Sequence, residues 1–216
     1  SYGTSGNVLL DRLFGARLHY YPVGEDEGGA DRALDELAAR LRNEGERPYV
    51  IHLSEDYPPL GALGYVDAAE ELLGQLETMG IPRATIVVAS GSAATQAGLL
   101  VGLRALGHAD IHVKGICVRR GQEAQFARVV RVCRNTEKLL KSDSVVPEDD
   151  ISVTDSFLGP AYGLVTEETA DAILVGAREE ALILDPVYTG KAFAGFLDFV
   201  RRGEVGAEAA VFLHTS

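Results

Sequence analysis

Thr85-Ile86-Val87-Val88-Ala89-Ser90-Gly91-Ser92-Ala93-Ala94-Thr95-Gln96-Ala97-Gly98-Leu99-Leu100 passes from a β-branched apolar run, through small residues, into a helical pattern. The run is short, apolar on both faces and bounded by turn residues, which predicts a fully buried strand. Leu99, Leu100 and Leu103 carry the following helix to a stop at Gly107. Between them, the small side chains of 90–95 let backbone N–H groups converge on a phosphate, and the positive end of the helix adds favourable charge. Tight strand-to-helix turns of small residues are common, so the loop alone leaves phosphate binding open. It is neither a Gly-Lys-Ser/Thr loop nor a GxGxxG turn, which weakens a nucleotide-binding reading.

The same alternation continues on both sides. Upstream, Ala69, Leu72, Leu73 and Leu76 share one face of a helix over 66–79 that Gly80-Ile81-Pro82 ends. Downstream, 111–118 reads as a strand, and Phe126, Val129, Val130 and Cys133 recur at helical spacing. Residues 141–150 are polar and read as a loop. Thr166 can cap a helix whose Glu167 and Glu168 suit its positive end and whose Ala170, Ile173, Leu174 and Ala177 face a core. A strand over 181–184, a proline turn, a helix bearing Phe193, Phe196, Leu197 and Val200 that stops at Gly203, and a strand over 209–213 complete the order. This is the pattern of an α/β protein in three layers, a parallel sheet flanked by helices.

The first fifty residues are less regular: a helix over 7–14, a short strand over 18–21, an acidic glycine loop over 25–29 and a helix reaching Asn43. Residues 49–53 read as a strand, and the proline-rich, acidic 54–61 as a passage between subdomains. Residues 1–53 are therefore expected to belong to a small α/β domain, and 54–216 to a large one.

The composition narrows the partners. With 216 residues, 46% hydrophobic and 24% charged, the chain can bury a substantial core. A net charge of −12 disfavours nucleic acid or an anionic membrane and favours a small-molecule ligand. No stretch approaches about 18 uninterrupted apolar residues, and the first residues carry no signal-peptide pattern, so the cytoplasm is the expected location. Cys117 and Cys133 lie in apolar stretches without a ligand-spaced partner and read as buried free thiols. His108 and His112 are split by a turn, so no metal is expected.

Two further segments fall at the carboxyl edge of the sheet, where open α/β folds bind ligands. In 185–191 the turn offers Tyr188, Thr189 and Lys191; after the last strand come His214 and Thr215. Each has an ordinary reading as well: a packed turn tyrosine, a solvated lysine at a helix start, a plain strand end. Convergence of these loops on one edge is what favours a site.

Five motifs carry a resemblance over nearly the whole chain: Gly6-Asn7-Val8-Leu9-Leu10-Asp11-Arg12-Leu13 with Gly15-Ala16, Pro59-Leu60-Gly61-Ala62-Leu63-Gly64-Tyr65-Val66, Ala89-Ser90-Gly91-Ser92-Ala93-Ala94-Thr95-Gln96-Ala97-Gly98, Leu184-Asp185-Pro186-Val187-Tyr188-Thr189-Gly190-Lys191-Ala192, and Phe212-Leu213-His214-Thr215. In this order they resemble the pyridoxal-phosphate lyases that include D-cysteine desulfhydrase, ACC deaminase and L-cysteate sulfo-lyase, of the tryptophan-synthase-β-like fold type II.

The resemblance implies pyridoxal phosphate as cofactor, with Ser92, Ala93, Ala94 and Thr95 around its phosphate and Thr215 at its ring nitrogen. It also implies Thr189 beside it, Tyr188 as the acid-base or stacking residue, a small amino acid as substrate and a homodimer. A neutral hydroxyl at the ring nitrogen suits elimination of a β-substituent. ACC deaminases usually carry glutamate where Thr189 stands, so D-cysteine is the leading substrate expectation, with L-cysteate next. Ala94 replaces a usual glycine and is strained if that position needs φ > 0. The lysine that holds the cofactor covalently lies, in the family, in an earlier segment. Lys114, Lys138, Lys141 and Lys191 are not its equivalents, so this chain is expected to be inactive alone. A non-catalytic cofactor-fold remnant or binding protein is the rival expectation.

Overall fold

The computed structural model describes residues 6–21, 27–205 and 209–215. The chain divides into two compact units, Ser1–Tyr57 and Pro58–Ser216.

Unit 1 contains α1 (Gly6–Leu13) and α2 (Glu27–Asn43). Neither 18–21 nor 49–53 forms a strand. The second segment is held by side chains instead: Asp31, fully buried on α2, accepts the N–H groups of Leu53 at 3.0 Å and Ser54 at 2.8 Å. One turn along, Asp35 accepts from Tyr57 Oη at 2.6 Å and pairs with His52 Nε2 at 2.9 Å, while the His52 and Tyr57 rings stack 3.6 Å apart. The backbone donors of 53 and 54 are satisfied by a carboxylate, so that segment needs no ladder. Of the predicted acidic glycine loop over 25–29, Glu25 and Asp26 lie outside the described residues and the remainder opens α2.

In unit 2 the parallel sheet has strand order β3-β2-β1-β4, with β1 at Ala84–Ser90, β2 at Ile111–Cys117, β3 at Ser152–Thr154 and β4 at Ala210–Phe212. Every pairing is parallel: Ala84 to Ser90 lie beside Ile111 to Cys117, and Thr85 to Val87 beside Ala210 to Phe212. All four strands therefore end at one edge. Helices α3 (Leu60–Thr78), α4 (Ala94–Ala105) and α5 (Gln122–Leu140) cover one face, where Ile86, Val88, Ile111 and Val113 join a core with Leu76, Leu99, Leu103 and Cys133. On the other face, α6 (Glu167–Glu180) and α7 (Thr189–Arg202) enclose Val87, Ile116, Phe193 and Phe199. The alternation along β1 supplies both cores, and the three-layer α/β class is borne out.

α3 and α4 approach closely because glycine lines their seam. A Cβ at Gly98 would stand 2.3 Å from Ala62 O, and one at Gly102 would stand 2.7 Å from Ala69 Cβ. The expected strand over 181–184 is absent. Ala181 closes α6 in the left-handed region with φ 55°, and Leu182 N returns to Gly176 O at 3.0 Å, so this backbone finishes a helix rather than joining the sheet. β3, only three residues long, is too short to show a period and follows the predicted loop over 141–150 unannounced. Both cysteines are buried free thiols, each pushed up to about 12 by burial, as their apolar setting predicts. Among the described residues, no helix is long and apolar enough to cross a membrane.

Candidate active site

Everything placed at the carboxyl edge comes from unit 2. β1 ends at Ser90, and the chain turns through Gly91, Ser92 and Ala93 into α4. The turn is made by Ala93, with φ 74° and only 2% exposure. Strain at this loop thus falls on Ala93, whereas Ala94 begins the helix in an ordinary conformation and is not the strained position. A left-handed alanine costs about 1 kcal/mol, which the surrounding structure must offset.

The helix N-termini at this edge differ in how their N–H groups are satisfied. At α5, Gln122 N donates to Asp155 Oδ2 at 2.9 Å. Thr166 Oγ1 accepts from Thr169 N at 3.2 Å on α6. At α7, Asp185 accepts from Val187, Tyr188 and Thr189 N at 2.7 to 2.8 Å. By contrast α4 has no side-chain cap at Ala93; its nearest acceptor is Ser92 Oγ, 3.4 Å from Ala94 N. First-turn N–H groups have no intrahelical acceptor; α5 and α6 have one each bound by a side chain, α7 has three bound by Asp185, and α4 has only the long Ser92 contact, so the contrast is sharpest between α4 and α7.

Tyr188 stands next to this loop: a Cβ built on Gly91 would lie 4.0 Å from Tyr188 Cε1. Its hydroxyl hydrogen-bonds that of Tyr162, with the rings edge-to-face at 6.3 Å, and the Arg119 guanidinium lies 6.0 Å from the Tyr162 ring centre. Burial and the bond to Tyr162 push the Tyr188 phenol up to about 12 despite the Arg119 charge. It is therefore a neutral proton donor at ordinary pH and a poor base.

Thr189 meets a different environment from the one expected. It is 1% exposed; its Oγ1 donates to Asp185 Oδ2 at 2.6 Å and accepts from Asp185 N at 2.9 Å. That hydroxyl fixes the turn that carries Tyr188. Burial raises the Asp185 carboxyl, but the Thr189, Tyr188 and Val187 hydrogen bonds outweigh it and hold the group below the usual carboxylate range. Thr215 is exposed just past β4, where Leu213 N still bonds Val87 O at 3.0 Å and His214 Nε2 meets Ile183 O at 3.1 Å.

Lys191 is not a solvated lysine: it is 0% exposed and donates to Leu158 O at 2.6 Å, with burial pulling its ammonium below the usual range. Lys114 Nζ lies over the Phe199 ring, 4.6 Å from its centre. Sequence reasoning missed Tyr162, Arg119 and Lys191's burial. The Gly159-Pro160-Ala161-Tyr162-Gly163 turn and a basic pair directly after a parallel strand were the available signals.

A parallel α/β sheet whose carboxyl edge joins an uncapped helix N-terminus to a neutral tyrosine is an arrangement in which open α/β folds can receive a small anionic ligand. The chain belongs to the pyridoxal-phosphate dependent enzyme family, whose model matches residues 1–216. It is 37% identical over 203 residues to a 1-aminocyclopropane-1-carboxylate deaminase of Burkholderia multivorans, covering 94% of this chain and 60% of that protein. A deaminase of the same name from Ralstonia pickettii is 36% identical over 213 residues, 97% of this chain and 62% of that protein. A crystal structure of an ACC deaminase homologue superposes with a TM-score of 0.83 at 37% identity, over all of this chain and 63% of that one. O-ureido-L-serine synthase, 17% identical with a TM-score of 0.57 over 96% of this chain and 60% of that one, shares the fold. The chain thus spans about 60% of the length of the curated relatives it matches.

The residues present fit the phosphate and ring of the family's cofactor. Open N–H groups at α4 suit a phosphate, and Gly91 lets the loop pack closely on Val118, where a Cβ would come within 3.1 Å of Cγ2. Thr215 offers a neutral hydroxyl.

Proposed function

We propose that this chain supplies the cofactor-phosphate side of a pyridoxal-phosphate lyase that removes the β-substituent of a small amino acid and releases ammonia. D-cysteine is the leading substrate, ahead of L-cysteate and 1-aminocyclopropane-1-carboxylate. Residues 54–216 would act as the large cofactor domain and 1–53 as part of the small one, in a cytoplasmic homodimer. The observation that carries the reading is the contrast at the sheet edge: α4 keeps its first-turn N–H groups open beside Tyr188, in a chain whose whole length matches the family.

When bound, pyridoxal phosphate withdraws electrons from the substrate's α-carbon, easing loss of the α-proton and of the β-substituent. The N–H groups at 92–95 hold the phosphate. Tyr188 Oη, a neutral phenol at ordinary pH, donates a proton to the departing group, and Tyr162 orients that hydroxyl. Thr215 bonds the ring nitrogen without adding charge. Thr189 favours a desulfhydrase over a ring-opening deaminase.

The test is an absorption spectrum of the natural protein with pyridoxal phosphate, followed by turnover with each of the three substrates. A cofactor band altered by borohydride, and pyruvate formed fastest from D-cysteine, would support the reading. Faster conversion of 1-aminocyclopropane-1-carboxylate would transfer the assignment to a deaminase.

A second reading is a phosphate-binding protein without chemistry, in which the open N–H groups of α4 hold an anion and no proton moves. Phosphate binding with no cofactor band would establish it.

A further inference from the structure

Three consecutive residues ahead of the strained Ala93 are each held by a side chain from the segment that follows β2. Gln125 Nε2 donates to Ser90 Oγ at 2.9 Å, Arg120 Nη1 to Gly91 O at 3.0 Å, and Arg128 Nε to Ser92 O at 3.0 Å. Gln125 and Arg128 lie three residues apart on α5 and share its buried face, Arg128 being only 7% exposed. From the other side, Ser90 Oγ donates to Gln96 Oε1 at 2.7 Å, and Gln96 Nε2 donates to Ser152 O at 2.8 Å. Room for that amide exists because residue 115 is glycine: a Cβ there would fall 2.1 Å from Gln96 Oε1.

This arrangement sets the direction of the loop's peptides. A trans peptide is planar, with its C=O and N–H pointing opposite ways. With the carbonyls of Gly91 and Ser92 drawn to Arg120 and Arg128, the N–H groups of Ser92 and Ala93 point away from the guanidinium groups. Ala93 in the left-handed region then directs the next N–H groups toward the same concavity, as in the backbone nests that bind anions. Two fixed positive charges behind the loop add to the helix dipole without entering the ligand space.

We propose that Arg128, assisted by Arg120, is a positioning residue for the cofactor phosphate: by binding loop carbonyls it holds the anion-binding N–H groups in place and sets phosphate affinity without touching the ligand. The inference rests on the proposed cofactor-phosphate reading of this loop. It explains how a loop with no basic side chain of its own, and an alanine in the left-handed region, can hold a dianion.

The experiment compares dissociation constants for pyridoxal phosphate and for pyridoxal, which lacks the phosphate, in the full-length natural protein and its variants. In Arg128→Gln, affinity for pyridoxal phosphate is expected to fall by about 10-fold or more, as for loss of a hydrogen bond to a charged group, with pyridoxal affinity changed less than about 3-fold. Arg128→Lys, which keeps the charge, should recover part of the loss, and the ³¹P resonance of the bound cofactor should shift in Arg128→Gln. Equal weakening for both ligands, or none for either, overturns the positioning role. If the unaltered protein binds pyridoxal as tightly as pyridoxal phosphate, the phosphate reading of the loop falls as well. Should Arg128→Gln fail to fold, Arg120→Gln, altering a less buried side chain, is judged by the same comparison.

Discussion

The turn into α4, which leaves β1, and the turn into α7, which follows non-strand backbone, both open a helix, yet they end in opposite chemical states. Before α7, Asp185 takes three backbone N–H groups and the Thr189 hydroxyl, so the turn is satisfied from within and holds Tyr188 at its exposed side. The α4 turn has a left-handed alanine where a cap would stand, its carbonyls bound from behind and its N–H groups left open. One turn is built to hold a side chain still; the other is built to receive an anion. Self-satisfied polar groups rigidify, and open ones bind.

The largest expected effect breaks the closed turn's output. Tyr188→Phe removes the neutral donor and should lower turnover of the full-length protein by about 10² to 10⁴-fold with cofactor binding retained, measured as kcat beside a pyridoxal-phosphate titration. Parity with the unaltered protein would remove Tyr188 from the chemistry.

Next, Asp185→Ala frees three N–H groups together and should destabilise the protein by about 2 kcal/mol or more, read by urea unfolding. The sign of its pH dependence follows from a depressed carboxyl. The contribution of Asp185 is present above the ordinary value of 3.8 and is lost as pH falls through the lower folded value, so Asp185→Ala should flatten the acid limb of the stability curve. The Tyr188 phenol moves the other way. Raised from 10.0 to about 12, it favours the folded state below pH 10 and loses that contribution as pH climbs to about 12; Tyr188→Phe should abolish this alkaline limb.

The smallest effect sharpens the open turn. Ala93→Gly relieves a left-handed alanine and should be neutral or stabilising by up to about 1 kcal/mol, whereas Ala94→Gly, inside the helix, should be destabilising. Thermal unfolding of the two variants distinguishes them, and loss of stability in Ala93→Gly would contradict the conformation assigned to this loop.

Much of the large unit was legible. The β1 run, the helix faces beginning at Ala69 and Phe126, and the Thr166 cap all announce themselves, because burial on both faces and helical periodicity are written residue by residue. Residues 49–53 and 181–184 misled for a shared reason. Both are apolar and β-prone, but one has its Leu53 amide bound by Asp31, 22 positions away, and the other is drawn back to Gly176 O as Ala181 closes α6, so neither is left to join the sheet. At the site, the loop 90–95, Tyr188, Thr189 and Thr215 were named from motifs, while Tyr162, Arg120 and Arg128 were not, since each acts through a contact 26 to 36 positions away.

By itself, the sequence determined the α/β class, the order of most elements and the family, because side-chain periodicity, caps and motif spacing are properties of neighbouring residues. Only the tertiary structure decided which helix N-terminus stays open, which hydroxyl is spent on a turn and that Lys191 is buried. Those outcomes depend on which distant donor or acceptor reaches each backbone group first, and that competition is settled by packing across the sheet.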